Sequence, residues 1–420
     1  MTAPAASFGG FVAKARAEGA LVVQPRMGMS RPDRMRAGLH ATRHAAATTV
    51  GTITVDSYTR TGELDAARRA VESGTALNGY PLATHPPRTT RAVLDGIRGP
   101  DFPVQVRHGS ARPGPVFAAL LSVGLHATEG GPVSYCLPYS RVPLATAVAD
   151  WERCCALLGG ARRDGVEPHL ETFGGCMMGQ LCPPSLLVAL SVLEALFFRR
   201  HGLRSISLSY AQQTNAHQDE EAVGALTALA AELLPDVEWH VVLYAYMGLY
   251  PLSPGGAQLL LDEAARLAVR TGAARLVVKT TAEAHRIPTV EENVSALETA
   301  AATAAATPPR TRPAPDTEIH AEARALVEAV LGLDHDIGRA LVIAFARGYL
   351  DVPYCLHPDN AGRARSVLAP DGRLEWAETG ALALPGRPVR GRRAILGSAD
   401  LLGALSHVQR TFDQRAFSAV

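Results

Sequence analysis

Three arginines, one glutamate and one lysine stand where apolar runs end. Leu21-Val22-Val23 leads to Gln24-Pro25-Arg26, and Thr52-Ile53-Thr54-Val55 leads to Asp56-Ser57-Tyr58-Thr59-Arg60. Phe102-Pro103-Val104-Gln105-Val106 leads to Arg107-His108-Gly109, Gly124 to Thr128 leads to Glu129-Gly130-Gly131, and Leu276-Val277-Val278 leads to Lys279. A guanidinium binds a carboxylate through paired hydrogen bonds and stays charged at any working pH. Three of them gathered on one face suit a small ligand with two carboxylates, and a glutamate among them could hold an ammonium group. Together they suggest an acidic amino acid. Two plainer chemistries stand beside this one. An arginine at a strand end often pairs with a neighbouring loop, and Glu129 could be such a partner. Lys279 at a strand end could form a Schiff base, as in an aldolase.

These side chains need strands to carry them. Candidate strands are Ala20–Arg26, Val50–Tyr58, Ala76–Tyr80, Phe102–His108, Gly124–Glu129, His169–Phe173, Ser205–Tyr210, Trp239–Met247 and Arg275–Lys279. Between them apolar residues recur at helical spacing, as in Leu64, Ala67 and Val71, or Leu186, Leu190, Leu193 and Phe197. Repeated strand–helix alternation predicts an α/β fold with a parallel sheet, and so many units favour a (β/α)8 TIM barrel over an open sheet. Nine candidates compete for eight places. Such barrels build their sites at the C-terminal strand ends, where these polar residues stand. The barrel is expected over residues 1–300. Residues 301–316, rich in Ala, Thr and Pro, read as a linker. Residues 317–420 read as a smaller α+β region, with helices over Glu318–Leu333, Asp336–Tyr349 and Ala399–Phe412 and a loop with a short strand over Gly372–Leu384.

Composition narrows the function classes. The 420 residues carry 41 Lys and Arg against 40 Asp and Glu, so nothing drives the chain towards nucleic acid or anionic lipid. The longest mainly apolar stretch, Leu186–Phe198, is too short and polar for a membrane span, and Met1–Gly10 lacks the pattern of a signal peptide. Six cysteines without a C-x-x-C pair read as reduced thiols of a cytoplasmic protein, with no metal site. No dinucleotide fingerprint, P-loop, zinc-protease motif or nucleophile elbow is present. Asp334-His335-Asp336-Ile337-Gly338 fails the D-x-H-x-x-G spacing, because Leu333 stands where Asp is needed, and it reads as a helix start.

An ordered set of segments carries a family resemblance. Gln24-Pro25-Arg26, Asp56-Ser57-Tyr58-Thr59-Arg60, Leu77-Asn78-Gly79, Arg107-His108-Gly109 and Glu129-Gly130-Gly131 come first. Ser134-Tyr135, Pro138-Tyr139, Pro183-Pro184-Ser185, Val278-Lys279-Thr280 and Glu283-Ala284 follow. The chain resembles the large (epsilon) subunit of adenosylcobalamin-dependent glutamate mutase, also called methylaspartate mutase, from about residue 20 to 300 and more faintly to Asn360-Ala361-Gly362. The resemblance implies a (β/α)8 barrel whose arginine claw, Arg26, Arg60 and Arg107, grips the carboxylates of L-glutamate. It implies Glu129, Tyr135 and Tyr139 as the other substrate contacts, and Gly28, Asn78, Pro138, Tyr250, Lys279, Glu283 and Ile287 as positions near adenosylcobalamin. Glu129 and Lys279 are the candidate catalytic residues. The cobalt ligand would come from a separate small subunit carrying D-x-H-x-x-G, on a homodimer of large subunits, as a heterotetramer.

The implied reaction is a radical one: hydrogen is taken from C4 of L-glutamate and the glycyl unit migrates, giving L-threo-3-methylaspartate. The resemblance has departures. The N-terminus is shorter than in the fermentative enzymes. The segment Phe173–Gly179 is one residue longer and lacks the family's threonines, and Tyr250 replaces Phe. Two further readings stay open within the family. One is a mutase acting on a modified acidic amino acid in secondary metabolism, a context that the Ala-, Arg- and Pro-rich composition allows. The other is a non-catalytic homologue kept for complex formation.

Overall fold

A computed structural model describes residues 7–177, 181–308, 317–385 and 397–418. Eight short strands form one all-parallel sheet: β1 (Val22–Pro25), β2 (Gly51–Thr54), β3 (Val104–Arg107), β4 (Ala127–Glu129), β5 (His169–Glu171), β6 (Ser205–Ala211), β7 (Glu238–Tyr244) and β8 (Arg275–Val278). β2 to β8 pair in sequence order and β1 pairs with β8. β1 meets β2 through Val23 N–H to the Thr48 carbonyl and Thr54 N–H to the Met27 carbonyl, both 2.9 Å. The sheet therefore closes into a (β/α)8 barrel. Ala76–Tyr80 is the surplus candidate. It makes only an isolated bridge from Tyr80 to Val55, because Gly79 packs on the Val55 carbonyl and Pro81 follows.

The helices follow the strands. They are α1 (Phe8–Ala17), α2 (Pro32–Arg43), α3 (Ser57–Thr61), α4 (Leu64–Ser73), α5 (Pro87–Leu94), α6 (Gly114–Ser122), α7 (Leu144–Gly159), α8 (Pro184–Arg200), α9 (Ala216–Leu233), α10 (Pro254–Thr271) and α11 (Val290–Ala305). Their starts are written in the sequence. Asp56, Asn215 and Ser253 cap α3, α9 and α10, and Thr289 with Glu292 forms a capping box on α11. α11 continues into the stretch expected as linker, since its alanines are strong helix formers. Residues 309–316 lie outside the described residues.

The inside of the barrel is polar rather than aliphatic. Gln24, Thr52, Gln105, Glu171, Ser207 and Arg275 are buried and bonded to one another across it. With a period of two, the neighbouring Val23, Ile53, Val106, Leu170, Ile206 and Leu276 face the helices, where they join the main hydrophobic core. At the N-terminal end of the barrel, Phe8 of α1 stacks on His169 with ring centroids 4.9 Å apart, and the Arg275 guanidinium lies 5.0 Å from the Phe8 ring.

The C-terminal part comprises α12 (Glu318–Leu331), α13 (Ile337–Arg347), the antiparallel hairpin β9 (Arg365–Leu368) and β10 (Leu374–Glu378), α14 (Ser398–Leu405) and α15 (His407–Ser418). Its role follows from α8, which is apolar on nearly every side and needs a second cover. α12 packs on α8 and α9, α13 on α7 and α8, and α15 on α10. Their apolar residues join the same core as the barrel helices. Asp336 caps α13, accepting from Arg339 N–H at 2.9 Å, which is the helix start expected there. β9 had no sequence signal, and the expected last helix divides at Ser406 into α14 and α15.

Candidate active site

The C-terminal strand ends surround a cavity of about 1560 Å³. Arg26, Arg60, Arg107, Glu129, Tyr135, Pro138 and Tyr139 all line it. Arg26 follows β1 directly, Arg107 ends β3 and Glu129 ends β4. Arg60 sits on α3, whose cap Asp56 accepts from Thr59 N–H at 3.0 Å and so starts the helix immediately after β2. The Arg26 and Arg60 side chains form no ion pair or hydrogen bond among the described residues.

Glu129 is the fixed point of the site. Arg107 Nε donates to its Oε2 at 2.7 Å, Tyr244 OH donates to Oε2 at 2.7 Å, and Tyr135 OH donates to Oε1 at 2.5 Å. Arg107 and Glu129 are both almost fully buried. The Arg107 terminal nitrogens make no hydrogen bond among the described residues, so a planar fork stays available. Its guanidinium also lies 5.0 Å from the Tyr244 ring. Burial, reinforced by Glu129, pushes the Tyr135 hydroxyl well up, so it stays a donor. The turn between Glu129 and Tyr135 requires glycine: Gly130 has φ +126° and a Cβ there would meet the Tyr135 ring at 2.5 Å. Glu194 of α8 ties this loop to the next one, accepting from Ser134 N–H at 2.9 Å and Gly174 N–H at 2.8 Å.

His108 adds a neutral donor. Burial, helped by Arg107, lowers its pKa to about 3. Its Nδ1 accepts from Ser110 N–H at 3.0 Å, which places the proton on Nε2. Among the described residues, that buried Nε2 forms no hydrogen bond of normal geometry, although the Glu129 backbone close by opposes the fall in pKa. Trp151 stacks on the imidazole with centroids 5.9 Å apart and holds its orientation.

The remaining expected residues fall into separate groups. Lys279, just past β8, is buried with its Nζ 3.6 Å from Glu283 Oε2 and 4.9 Å from the Tyr250 ring. Burial and then Arg26 lower its pKa to about 8, against the opposing pull of Glu283. The Tyr250 hydroxyl is buried without a partner. Asn78 Oδ1 accepts from Ser57 N–H at 3.0 Å and braces α3. Gly28 packs where a Cβ would lie 2.3 Å from the Thr54 carbonyl oxygen, and Ile287 is exposed in the segment between β8 and α11. In the departing segment, Gly174–Cys176 form one tight turn with Cys176 buried, while Met178 and Gly179 lie outside the described residues.

Sequence reasoning missed Tyr244, Glu171 and the loop Tyr354–His357. The first two end strands, so the strand-end rule that selected Glu129 also selects them. The loop lines the cavity from the C-terminal part. Asp351 holds it by accepting from the N–H groups of Gly362, Arg363 and Ala364, each at 2.7 Å. Long-range placement of this kind leaves no local signature.

Comparison with known proteins identifies relatives of the whole chain. The sequence is 34% identical over 391 residues to the glutamate mutase epsilon subunit of Halobacterium salinarum, covering 90% of this chain and 81% of that protein. It is 30% identical over 390 residues to the glutamate mutase epsilon subunit of Escherichia coli, covering 89% and 80%. A family model described as methylaspartate mutase E chain matches residues 4–395. The chain belongs to the methylaspartate mutase E chain family.

Proposed function

We propose that this chain is the large subunit of an adenosylcobalamin-dependent mutase that interconverts L-glutamate and L-threo-3-methylaspartate. The carrying observation is the cavity in which Arg26, Arg60 and the Arg107 fork face a buried, fully oriented Glu129. Arg107 offers two parallel donors to one carboxylate, and Arg26 and Arg60 are free to take the other. Glu129 receives the ammonium group and can accept a proton from it. The unpartnered His108 Nε2–H is a further donor for a carboxylate oxygen. Fixing both ends of the substrate keeps the migrating fragment beside the carbon it must rejoin.

The residues on the β7–β8 side fit an adenosyl group. The Tyr250 hydroxyl lacks a partner, and the Lys279 amine and Glu283 carboxylate form a donor and acceptor pair suited to ribose hydroxyls. Tyr139 on the cavity wall and the exposed Leu249 and Ile287, which follow β7 and β8, would offer apolar surface to a flat corrin. Adenosylcobalamin, when bound, supplies the radical that takes hydrogen from the substrate. The chain's own residues position the substrate and exclude water. Cobalt ligation belongs to a separate small subunit carrying D-x-H-x-x-G, in an assembly with paired large subunits.

The test is product analysis. The chain, a cobalamin-binding small subunit, adenosylcobalamin and L-glutamate are combined in dim light, and proton NMR follows the methyl doublet of 3-methylaspartate. Its appearance only with both proteins and cofactor supports the reading, and its absence with cobalamin bound removes it. One observation favours a second reading. The cavity extends past the claw to Arg112, Arg141 and Leu356, which leaves space for an acidic amino acid with an added group. Turnover of such a substrate with no turnover of glutamate would select it.

A further inference from the structure

The Tyr244 hydroxyl stands between two buried carboxylates. It is 2.7 Å from Glu129 Oε2 and in close hydrogen-bond contact with Glu171 Oε1. A tyrosine hydroxyl has one proton to give. The other oxygen of each carboxylate is already supplied, and Glu129 Oε2 itself also accepts from Arg107 Nε at 2.7 Å. Tyr135 serves Glu129 Oε1, while Arg275, Ser207 (2.9 Å) and Gln105 (3.2 Å) serve Glu171 Oε2. At Tyr244, therefore, two acceptors compete for one donor. One added proton satisfies all three groups. The chain then reads either Glu129 carboxyl to Tyr244 oxygen and Tyr244 proton to Glu171, or the reverse.

We propose that Tyr244 and Glu171 form a proton store behind Glu129, positioning residues that hold the proton Glu129 takes from the substrate ammonium. This rests on the reading of Glu129 as the group facing that ammonium. In the step, an N–H bond breaks with its electron pair left on nitrogen, and an O–H bond forms on the Glu129 carboxyl. Two short transfers follow. Tyr244 gives its own proton to Glu171 Oε1 and takes the one held at Glu129 Oε2. Glu129 returns to a carboxylate and no heavy atom changes place. Reversal returns the proton to the amine.

The surroundings suit such a store. Arg107 of β3 and Arg275 of β8 balance the two carboxylates, so one added proton leaves this group with a single positive charge, beside Arg26 and Arg60 in the same cavity and a dicarboxylate ligand. Cys176, in the turn after β5, stays a neutral thiol because burial raises it. Behind Ser207, His169 is neutral, with burial and then Arg275 lowering its pKa to about 3. Among the described residues, Tyr135, Tyr139 and His108 on the Glu129 side and His240 beside His169 and Arg275 are further titratable neighbours. Burial pushes Glu171 up, but Arg275 and the Tyr244 hydrogen bond outweigh it and hold it below the usual range, so the store starts empty and fills only when the negative charge of the bound ligand raises it.

Infrared difference spectroscopy on the assembled complex tests this. The probe is carbon-13-labelled L-glutamate added to complex loaded with a cobalamin lacking the adenosyl group, so that no turnover occurs. A protonated-carboxyl band of the protein is expected on binding, and is expected to vanish in Tyr244→Phe. In the same variant with adenosylcobalamin, kcat should fall roughly 10- to 100-fold at unchanged KM, since an assisting proton acceptor is lost. Absence of the band in the unmodified complex, or its persistence in Tyr244→Phe, overturns the proposal. Tyr244→Phe keeps ring and packing, and glutamate binding by the variant shows that it is folded. If no 3-methylaspartate forms in any complex, the reaction assignment fails while the band still decides the store.

Discussion

Two regions of the same barrel hold arginines in opposite ways. Inside the barrel, Arg275 is completely buried and donates to Gln24, Gln105, Glu171 and Ser207. At the mouth, Arg26 and Arg60 have no side-chain partner among the described residues. Arg107 stands between them, with one edge committed to Glu129 and the other open. A buried charge is tolerated when its charged partner and most of its donors are met, and of the Arg275 donors only Nε lacks a partner among the described residues. The charge that is met inside therefore belongs to the fold. The charge left unmet at the mouth is the charge we propose for a ligand. Residue type alone does not separate the two cases, whereas saturation does.

The sharpest break of this contrast is Arg275→Met. It strands Glu171 as an unpaired buried carboxylate, and losing one partner of a buried pair costs about 3–5 kcal/mol. Thermal unfolding should show a large drop in Tm or no folded protein. The double change Arg275→Met with Glu171→Leu should recover much of the loss, because it removes both charges. If the single variant unfolds like the unmodified chain, the interior network is not what holds the barrel.

Arg107→Lys comes next. An ammonium cannot keep the bond to Glu129 and also present a fork to a carboxylate. Turnover with glutamate should fall by at least roughly 100-fold, in the range of one lost charge-assisted bidentate contact, with Tm nearly unchanged. Steady-state kinetics and a melting curve together test it. Unaltered kinetics would move the ligand away from this cavity. Arg60→Ala should do less. Arg60 is exposed on a short helix, so stability should stay within about 0.5 kcal/mol. KM should rise roughly 10-fold or more while kcat changes less. A loss of stability instead would mean that Arg60 belongs to the fold.

The same contrast explains what was legible in the sequence. Strand ends were legible because several candidate residues close apolar runs, so Arg26, Arg107, Glu129 and Lys279 stood out by position. Arg275 did not. It begins an apolar strand, and nothing local tells an arginine that enters a barrel from one that leaves it for solvent. The polar interior was hidden similarly, since Gln24, Gln105 and Ser207 alternate with valine, isoleucine and leucine as the residues of a half-exposed strand would. Ala76–Tyr80 looked like a strand because its residues suit one. Only the packing of Gly79 on Val55 shows that it runs past the barrel instead. The wall formed by Tyr354–His357 was beyond reach, because more than two hundred residues separate it from Leu137 and Val142, which it touches.

Lys279 gives the smallest effect and the finest test, because it falls between the two classes. It is buried, yet among the described residues its one ion-pair partner is Glu283 at 3.6 Å. Burial and Arg26 bring its pKa from 10.5 to about 8. Between about pH 8 and 10.5 the unfolded chain binds more protons at this lysine than the folded one, so this group makes stability rise with pH across that window. Below pH 8 both forms are protonated and the full penalty of a buried ammonium applies. Lys279→Met should therefore stabilise the free chain, by an amount of order 1 kcal/mol at neutral pH that shrinks as pH rises through the window. Denaturant unfolding at pH 7 and pH 10 measures this. If the variant is instead less stable at pH 7, the Glu283 and Tyr250 contacts outweigh burial and Lys279 joins Arg275 as part of the fold. If it is more stable but loses turnover, Lys279 is kept at a cost to stability, as expected of a group that waits for a ligand.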